Sequence, residues 1–224
     1  MNKGILLVDK ARGATSFQIV SELRRLTKEQ TIGHAGTLDP FATGVMVMLI
    51  GREFTKRSES FLTSDKEYRA TLFLGIATDT YDLDGQVMSR SEKVPTLEEV
   101  ELAIAPFQGE ILQVPPMFSA KKVEGKKLYE LARKGIEIAR QPVQVRVKIQ
   151  MLRYDYPSLE ILVECSKGTY IRSLAHDIGQ VLGSGAHLIE LTRLRSGNFT
   201  LDECIPQANL KNPEFNITPY LRNL

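Results

Sequence analysis

Cysteine is scarce in this chain, and the two present, Cys165 and Cys204, stand far apart. That excludes a disulfide framework and a cysteine-based zinc site. Histidine is equally scarce: His34, His176 and His187 show no metal-ligand spacing. No apolar run approaches the length that crosses a bilayer, and the N-terminus carries no signal-peptide pattern. A phosphate-cradling P-loop, internal repeats and low-complexity stretches are missing as well. Thr80–Gly85 resembles the start of a calcium loop, but Thr80 occupies its first position and the closing glutamate is lacking. These absences point to a reducing, cytoplasmic setting and to no membrane association.

The 224 residues suffice for one large domain, or one with a small appendage, and 42% hydrophobic with 25% charged residues is ordinary globular composition. The net charge of +2 is unevenly spread. Lys121 to Arg153 holds ten Lys/Arg against three Glu, a local +7, which leaves −5 for the remainder. Basic charge concentrated in one segment suits nucleic acid.

Gly4–Val8 reads as a short apolar strand. Thr15 with Gln18 forms a capping box ahead of a helix to Leu26, with Phe17, Val20, Leu23 and Leu26 at helical spacing. Thr96 and Glu99 repeat the box before Val100, Leu102, Ala103 and Ile104. Glu67–Leu74 alternates, with Tyr68, Ala70, Leu72 and Leu74 on one face. Val143–Met151 alternates too and presents a polar, basic face that includes Arg146 and Lys148. Leu159–Cys165 and His187–Arg195 read as further strands, with a helix near Tyr170–Leu182 between them. Mixed elements without regular βαβ order predict an α+β fold with a largely antiparallel sheet.

The densest chemistry lies in Gly33-His-Ala-Gly-Thr-Leu-Asp39-Pro-Phe-Ala-Thr-Gly44, which ends on the apolar run Val45–Ile50. Pro40 steers Asp39 away from helical backbone, and the three glycines permit conformations closed to other residues and close ligand approach. Such a loop, anchored by a buried strand, presents a single acid to a substrate. Gln113–Gln141 combines prolines, glycines, Tyr129 and the lysines Lys121, Lys122, Lys126 and Lys127. It reads as a flap over RNA, since single-stranded loops are held by phosphate contacts and stacking.

This loop, together with Gly4–Lys10, Asp65–Arg69, Gly75–Asp79, Pro115–Lys122, Gly125–Tyr129, Cys165–Arg172 and Gly185–Leu194, resembles the tRNA pseudouridine-55 synthase (TruB-like) family. The blocks run in family order over roughly residues 4–200. The resemblance implies a mixed sheet flanked by helices, with an inserted RNA-binding flap at about 113–141. It implies isomerisation of the T-loop uridine of tRNA without cofactor or metal, Asp39 being catalytic. Arg172 would pair with Asp39, Tyr68, Tyr170 and Leu191 would form the base pocket, and His34 would enter the space left by the flipped nucleotide. A nearby cation such as Arg172 would keep a partly buried carboxylate ionised. Addition to the uracil ring, attack on C1′ and a glycal route all fit the aspartate. The catalytic domain is expected over 1–200, with 201–224 a short tail; about 25 residues are too few for a PUA-type RNA-binding domain. No obligate protein partner is evident. Two other readings compete: a non-catalytic tRNA-binding or tRNA-folding module, and a metal-assisted hydrolase using the Asp79/Asp82/Asp84 loop.

Overall fold

Two uninterrupted apolar runs build the heart of one of two units. In the computed structural model, which describes residues 3–62, 64–119, 121–123 and 125–223, the first unit comprises residues up to Arg69 and from Leu191 onward. The second comprises Ala70–Glu190.

The first unit opens with β1 (Gly4–Lys10), α1 (Ser16–Thr27), β2 (Ile32–His34) and β3 (Thr43–Ile50), followed by the short helices α2 (Arg52–Thr55) and α3 (Ser58–Leu62). β1 pairs antiparallel with β3 from Gly4↔Ile50 to Lys10↔Gly44, and β2 adds to the same strand with His34↔Met48. Val45 to Ile50 are all buried, as expected of a strand covered on both faces. Ile5, Leu7, Ala35, Val45, Val47, Leu49 and Phe54 form one core cluster, in which each of the larger aliphatic and aromatic side chains contributes roughly 1.5–3 kcal/mol by burial. The Thr15–Gln18 capping box is present, and α1 buries Ile19, Val20 and Leu23. Phe17 is 65% exposed, contrary to the helical stripe read from the sequence; the buried face is turned toward Ile19 instead.

β4 (Lys66–Leu74) begins in the first unit and ends in the second, and its buried positions are Lys66, Tyr68, Ala70, Leu72 and Leu74. The second unit continues with β5 (Ile76–Thr78), β6 (Val87–Arg90), α4 (Leu97–Ile104) and β7 (Gly109–Gln113). A two-stranded ribbon of β8 (Lys122–Val123) and β9 (Lys126–Lys127) precedes α5 (Leu128–Ala132). Then come β10 (Val143–Asp155), β11 (Ser158–Cys165) and α6 (Ile171–Leu182). The sheet order here is β4-β11-β10-β7, with β10 antiparallel to both β11 and β7. The Thr96–Glu99 box is also present, but Leu102 is 66% exposed while Val100, Ala103 and Ile104 are buried.

β12 (Ala186–Ser196) returns the chain to the first unit, where β13 (Phe199–Thr200) pairs with it and β14 (Ile205–Pro206) runs parallel to β1. β3 and β12 are parallel through Thr43↔Thr192 and Gly44↔Arg193. The residues after 200 are integrated into this unit. Ile5 and Arg222 exchange two backbone hydrogen bonds of 2.9 Å, and Leu210 and Ile217 are buried. The result is a mixed, largely antiparallel α+β architecture flanked by helices, as the sequence predicts.

Candidate active site

Asp39 lies on non-helical backbone between β2 and β3, half-buried, and its carbonyl accepts from Ala42 N–H at 3.1 Å in a turn. The loop around it is fixed mainly through its main chain. Ser16, at the start of α1, contacts both Leu38 N–H and Leu38 O at 3.2 Å through its Oγ. Gly13 N–H donates to Pro40 O at 2.7 Å.

Two buried cations complete the clamp. Lys10, at the end of β1, is fully buried and donates from Nζ to the carbonyls of Ala11 (3.0 Å), Ala14 (2.7 Å) and Pro40 (3.1 Å). Burial pulls its pKa down to about 8, against the opposing attraction of Asp39, so it stays protonated at neutral pH. Arg193, 1% exposed, donates from Nε to Val45 O at 2.7 Å and from Nη2 to Gly36 O at 3.3 Å. Its Nη1 reaches Thr37 O at 3.5 Å. Neither residue was singled out for a role from the sequence. The available signal was a lysine closing a wholly apolar strand, and an arginine two positions beyond Leu191 on the inward face of a strand.

Gly36 and Gly44 meet the expectation of unusual backbone, with φ of 104° and 103°; Gly33 does not, lying in β2 with ordinary strand geometry. A β-carbon on Gly44 would stand 2.2 Å from Arg193 O, so the β3–β12 pairing itself requires glycine there. His34 is partly buried, and burial, reinforced by the Arg193 charge, lowers its pKa. An uncharged imidazole suits stacking better than proton chemistry. Tyr68 and Leu191, 9% and 6% exposed, complete the set of expected residues in the first unit.

The second unit holds Tyr170 and Arg172. Tyr170 is the N-cap of α6, and its backbone is clasped by the Gln113 amide: Gln113 Nε2 donates to Tyr170 O (3.0 Å), and Tyr170 N–H donates to Gln113 Oε1 (2.8 Å). Arg172 is only 4% exposed, which rules out a surface-helix arginine. Its Nη1 donates to Thr80 O at 3.0 Å and lies 3.6 Å from Asp82 Oδ2, while Nη2 donates to Phe118 O at 2.6 Å. The guanidinium thus joins the Thr80–Asp82 turn to the base of the flap.

In the flap, Tyr129 N–H donates to Ser119 O at 3.0 Å and Leu128 N–H to Lys121 O at 2.9 Å. Arg133 lies over the Tyr129 ring at 5.3 Å. Lys126 is exposed and Lys121 half-buried; the side chains of Lys122 and Lys127 lie outside the described residues. In the Asp79/Asp82/Asp84 loop Asp82 is buried and accepts from Thr80 Oγ1 (2.5 Å) and Asp84 N–H (3.1 Å), while Asp79 and Asp84 are exposed, Asp79 accepting from Gln86 N–H (2.7 Å). Among the described residues no three His, Cys, Asp or Glu side chains converge as a metal site.

Residues 24–171 match the N-terminal domain model of the TruB family of pseudouridylate synthases, and residues 172–218 match the tRNA pseudouridylate synthase B C-terminal domain. The chain is 59% identical over 221 residues to tRNA pseudouridine synthase B of Chlamydia trachomatis serovar L2, covering 99% of this chain and 92% of that protein. It is 58% identical over 208 residues to the protein of the same name from Protochlamydia amoebophila, covering 93% and 79% respectively. Among solved structures it resembles a chain of a Cbf5-Nop10-Gar1 complex, with TM-score 0.72 and 30% identity over 92% of this chain and 53% of that one. An archaeal box H/ACA Nop10-Cbf5 complex gives 0.68 and 28%, over 93% and 52%. The chain therefore spans about half the length of those solved chains.

Proposed function

This chain belongs to the TruB family of pseudouridylate synthases, and from that premise we propose that it isomerises uridine 55 in the T loop of tRNA to pseudouridine, with Asp39 as the catalytic carboxylate. The observation that carries the reading is the construction of the Asp39 loop. Its backbone is clamped by Lys10, Arg193 and Ser16, while Asp39 is only half-buried. A rigid loop presenting a single acid is what a positioned nucleophile or base requires.

The isomerisation breaks the N1–C1′ bond, turns the uracil and joins C5 to C1′. The proton lost from C5 is balanced by one gained at N1, so nothing is oxidised or hydrolysed. Asp39 supplies the ionised group near the ribose, and Arg172 stabilises its charge. Tyr68, Tyr170 and Leu191 form the walls of the pocket for the flipped base, with the Tyr68 hydroxyl available for proton transfer. His34, uncharged, occupies the vacated stack. Lys121, Lys122, Lys126 and Lys127 engage the T-arm backbone, and the enzyme works in the cytoplasm without a metal or cofactor. Among the described residues no helix is long and apolar enough to cross a membrane.

The test is pseudouridine formation on unmodified tRNA in the presence of a chelator, with a tRNA carrying cytidine at position 55 as control. Modification confined to position 55 and indifferent to the chelator is expected. Binding without conversion would favour an RNA-folding module, and loss of activity with the chelator would favour metal-assisted chemistry.

A further inference from the structure

The turn that addresses Arg172 contains an unusual residue. Tyr81 has φ 65°, a left-handed conformation uncommon for a side chain larger than asparagine, and it stands between Thr80 and Asp82. Those two neighbours both engage the same guanidinium, Thr80 through its carbonyl and Asp82 through its carboxylate. The left-handed bend bears directly on the guanidinium, because it sets how the groups on either side of Tyr81 can converge. Such a bend persists only where its surroundings hold it.

Several contacts do so. Tyr81 N–H donates to Thr78 O at 3.3 Å, Thr78 Oγ1 donates to Asp82 O at 2.7 Å, and Leu188 N–H donates to Tyr81 O at 3.0 Å. The side chain adds another. The Tyr81 ring stacks on His176 with centroids 3.9 Å apart and planes 18° from parallel. His176 lies one helical turn beyond Arg172 on α6, so one face of the helix carries both the guanidinium and the platform that holds the turn. The imidazole Nδ1 is buried with no hydrogen-bond partner among the described residues, so stacking, rather than a bond at that nitrogen, orients the ring.

We propose that Tyr81 and His176 are positioning residues for the reaction: their stack holds the bend that aims Thr80 O and Asp82 at Arg172, and so sets the orientation of the guanidinium. This rests on the functional reading above, in which Arg172 acts on Asp39. Neither residue touches the substrate; both act through Arg172.

The experiment measures single-turnover rate at saturating tRNA, tRNA affinity and melting temperature for the wild type, Tyr81→Ala, His176→Ala and the conservative Tyr81→Phe and His176→Phe. Loss of orientation at a fixed charge is expected to slow the alanine variants roughly 10–100-fold. Their affinity should stay within about threefold, and both phenylalanine variants, which keep a stacking plane, should stay within about threefold of the wild-type rate. If an alanine variant does not fold, Tyr81→Leu replaces it, keeping bulk without the plane, and the same slowing is expected. The proposal is overturned by alanine or leucine variants at the wild-type rate, by a rate loss matched by an equal loss of affinity, or by phenylalanine variants as slow as alanine. An inactive wild type would overturn the functional reading instead, whereas an active wild type with indifferent variants would overturn only this proposal.

Discussion

Arg172→Ala removes a guanidinium that is 4% exposed and bonded to Thr80 O and Phe118 O beside Asp82. Deleting a cation from that setting leaves the Asp82 carboxylate buried without it, and in the proposed mechanism it also removes a cation from the reaction. Single-turnover pseudouridine formation should fall by at least about 100-fold. A variant as active as wild type, with an unchanged pH profile, would remove Arg172 from the mechanism. Gly44 carries a structural demand of comparable weight. With φ at 103° and the Arg193 backbone 2.2 Å from where a β-carbon would stand, Gly44→Ala must part β3 from β12. Urea denaturation should show a loss of about 3–4 kcal/mol; a loss under 1 kcal/mol would mean that the strand pairing relaxes freely.

At the scale of elements, the flap should govern binding more than chemistry. Each phosphate neutralised contributes roughly 0.7–0.9 to the slope of log affinity against log salt. Replacing Lys121 and Lys126 by alanine should flatten that slope by about 1–2 and weaken binding at low salt, with little change in single-turnover rate at saturating tRNA. An unchanged slope would turn attention to the basic face of β10. There Lys148 is already paired with Glu164 at 3.0 Å, which lessens its claim on a phosphate. The capping boxes at Thr15 and Thr96 were legible in the sequence because their chemistry is complete within four residues. The inward face of β4 was legible for a similar reason, since alternation records which side meets the core. β6 was not, because all four of its residues are exposed and no apolar period marks them. Lys10 and Arg193 escaped for the opposite reason. Their importance lies in carbonyls distant in sequence, such as Pro40 O for Lys10 and Val45 O for Arg193, and nothing local announces them. The non-helical loop that carries Asp39 was legible because glycines, a proline and an acid coincide in one short stretch.

At the scale of the whole molecule, stability should carry the signature of a partly buried carboxyl, Asp177. Burial raises the Asp177 pKa from 3.8 to about 6. Between those values the folded state holds a proton that the unfolded chain has released. Stability from this group is therefore full below about pH 3.8, declines as pH rises toward 6, and is flat above. Asp177→Asn should raise stability at pH 7 by about 1–2 kcal/mol, allowing for partial exposure, and should remove that slope from chemical denaturation measured between pH 4 and 6. An unchanged slope would mean that Asp177 is hydrated in the folded protein. The central claim, that one clamped aspartate converts a tRNA uridine, is tested most directly by Asp39→Asn in single turnover on unmodified tRNA. The amide preserves size and removes the ionised oxygen. The account predicts pseudouridine at position 55 to fall by at least about 1,000-fold, with tRNA affinity within a few-fold of wild type. Turnover within tenfold of wild type would contradict it.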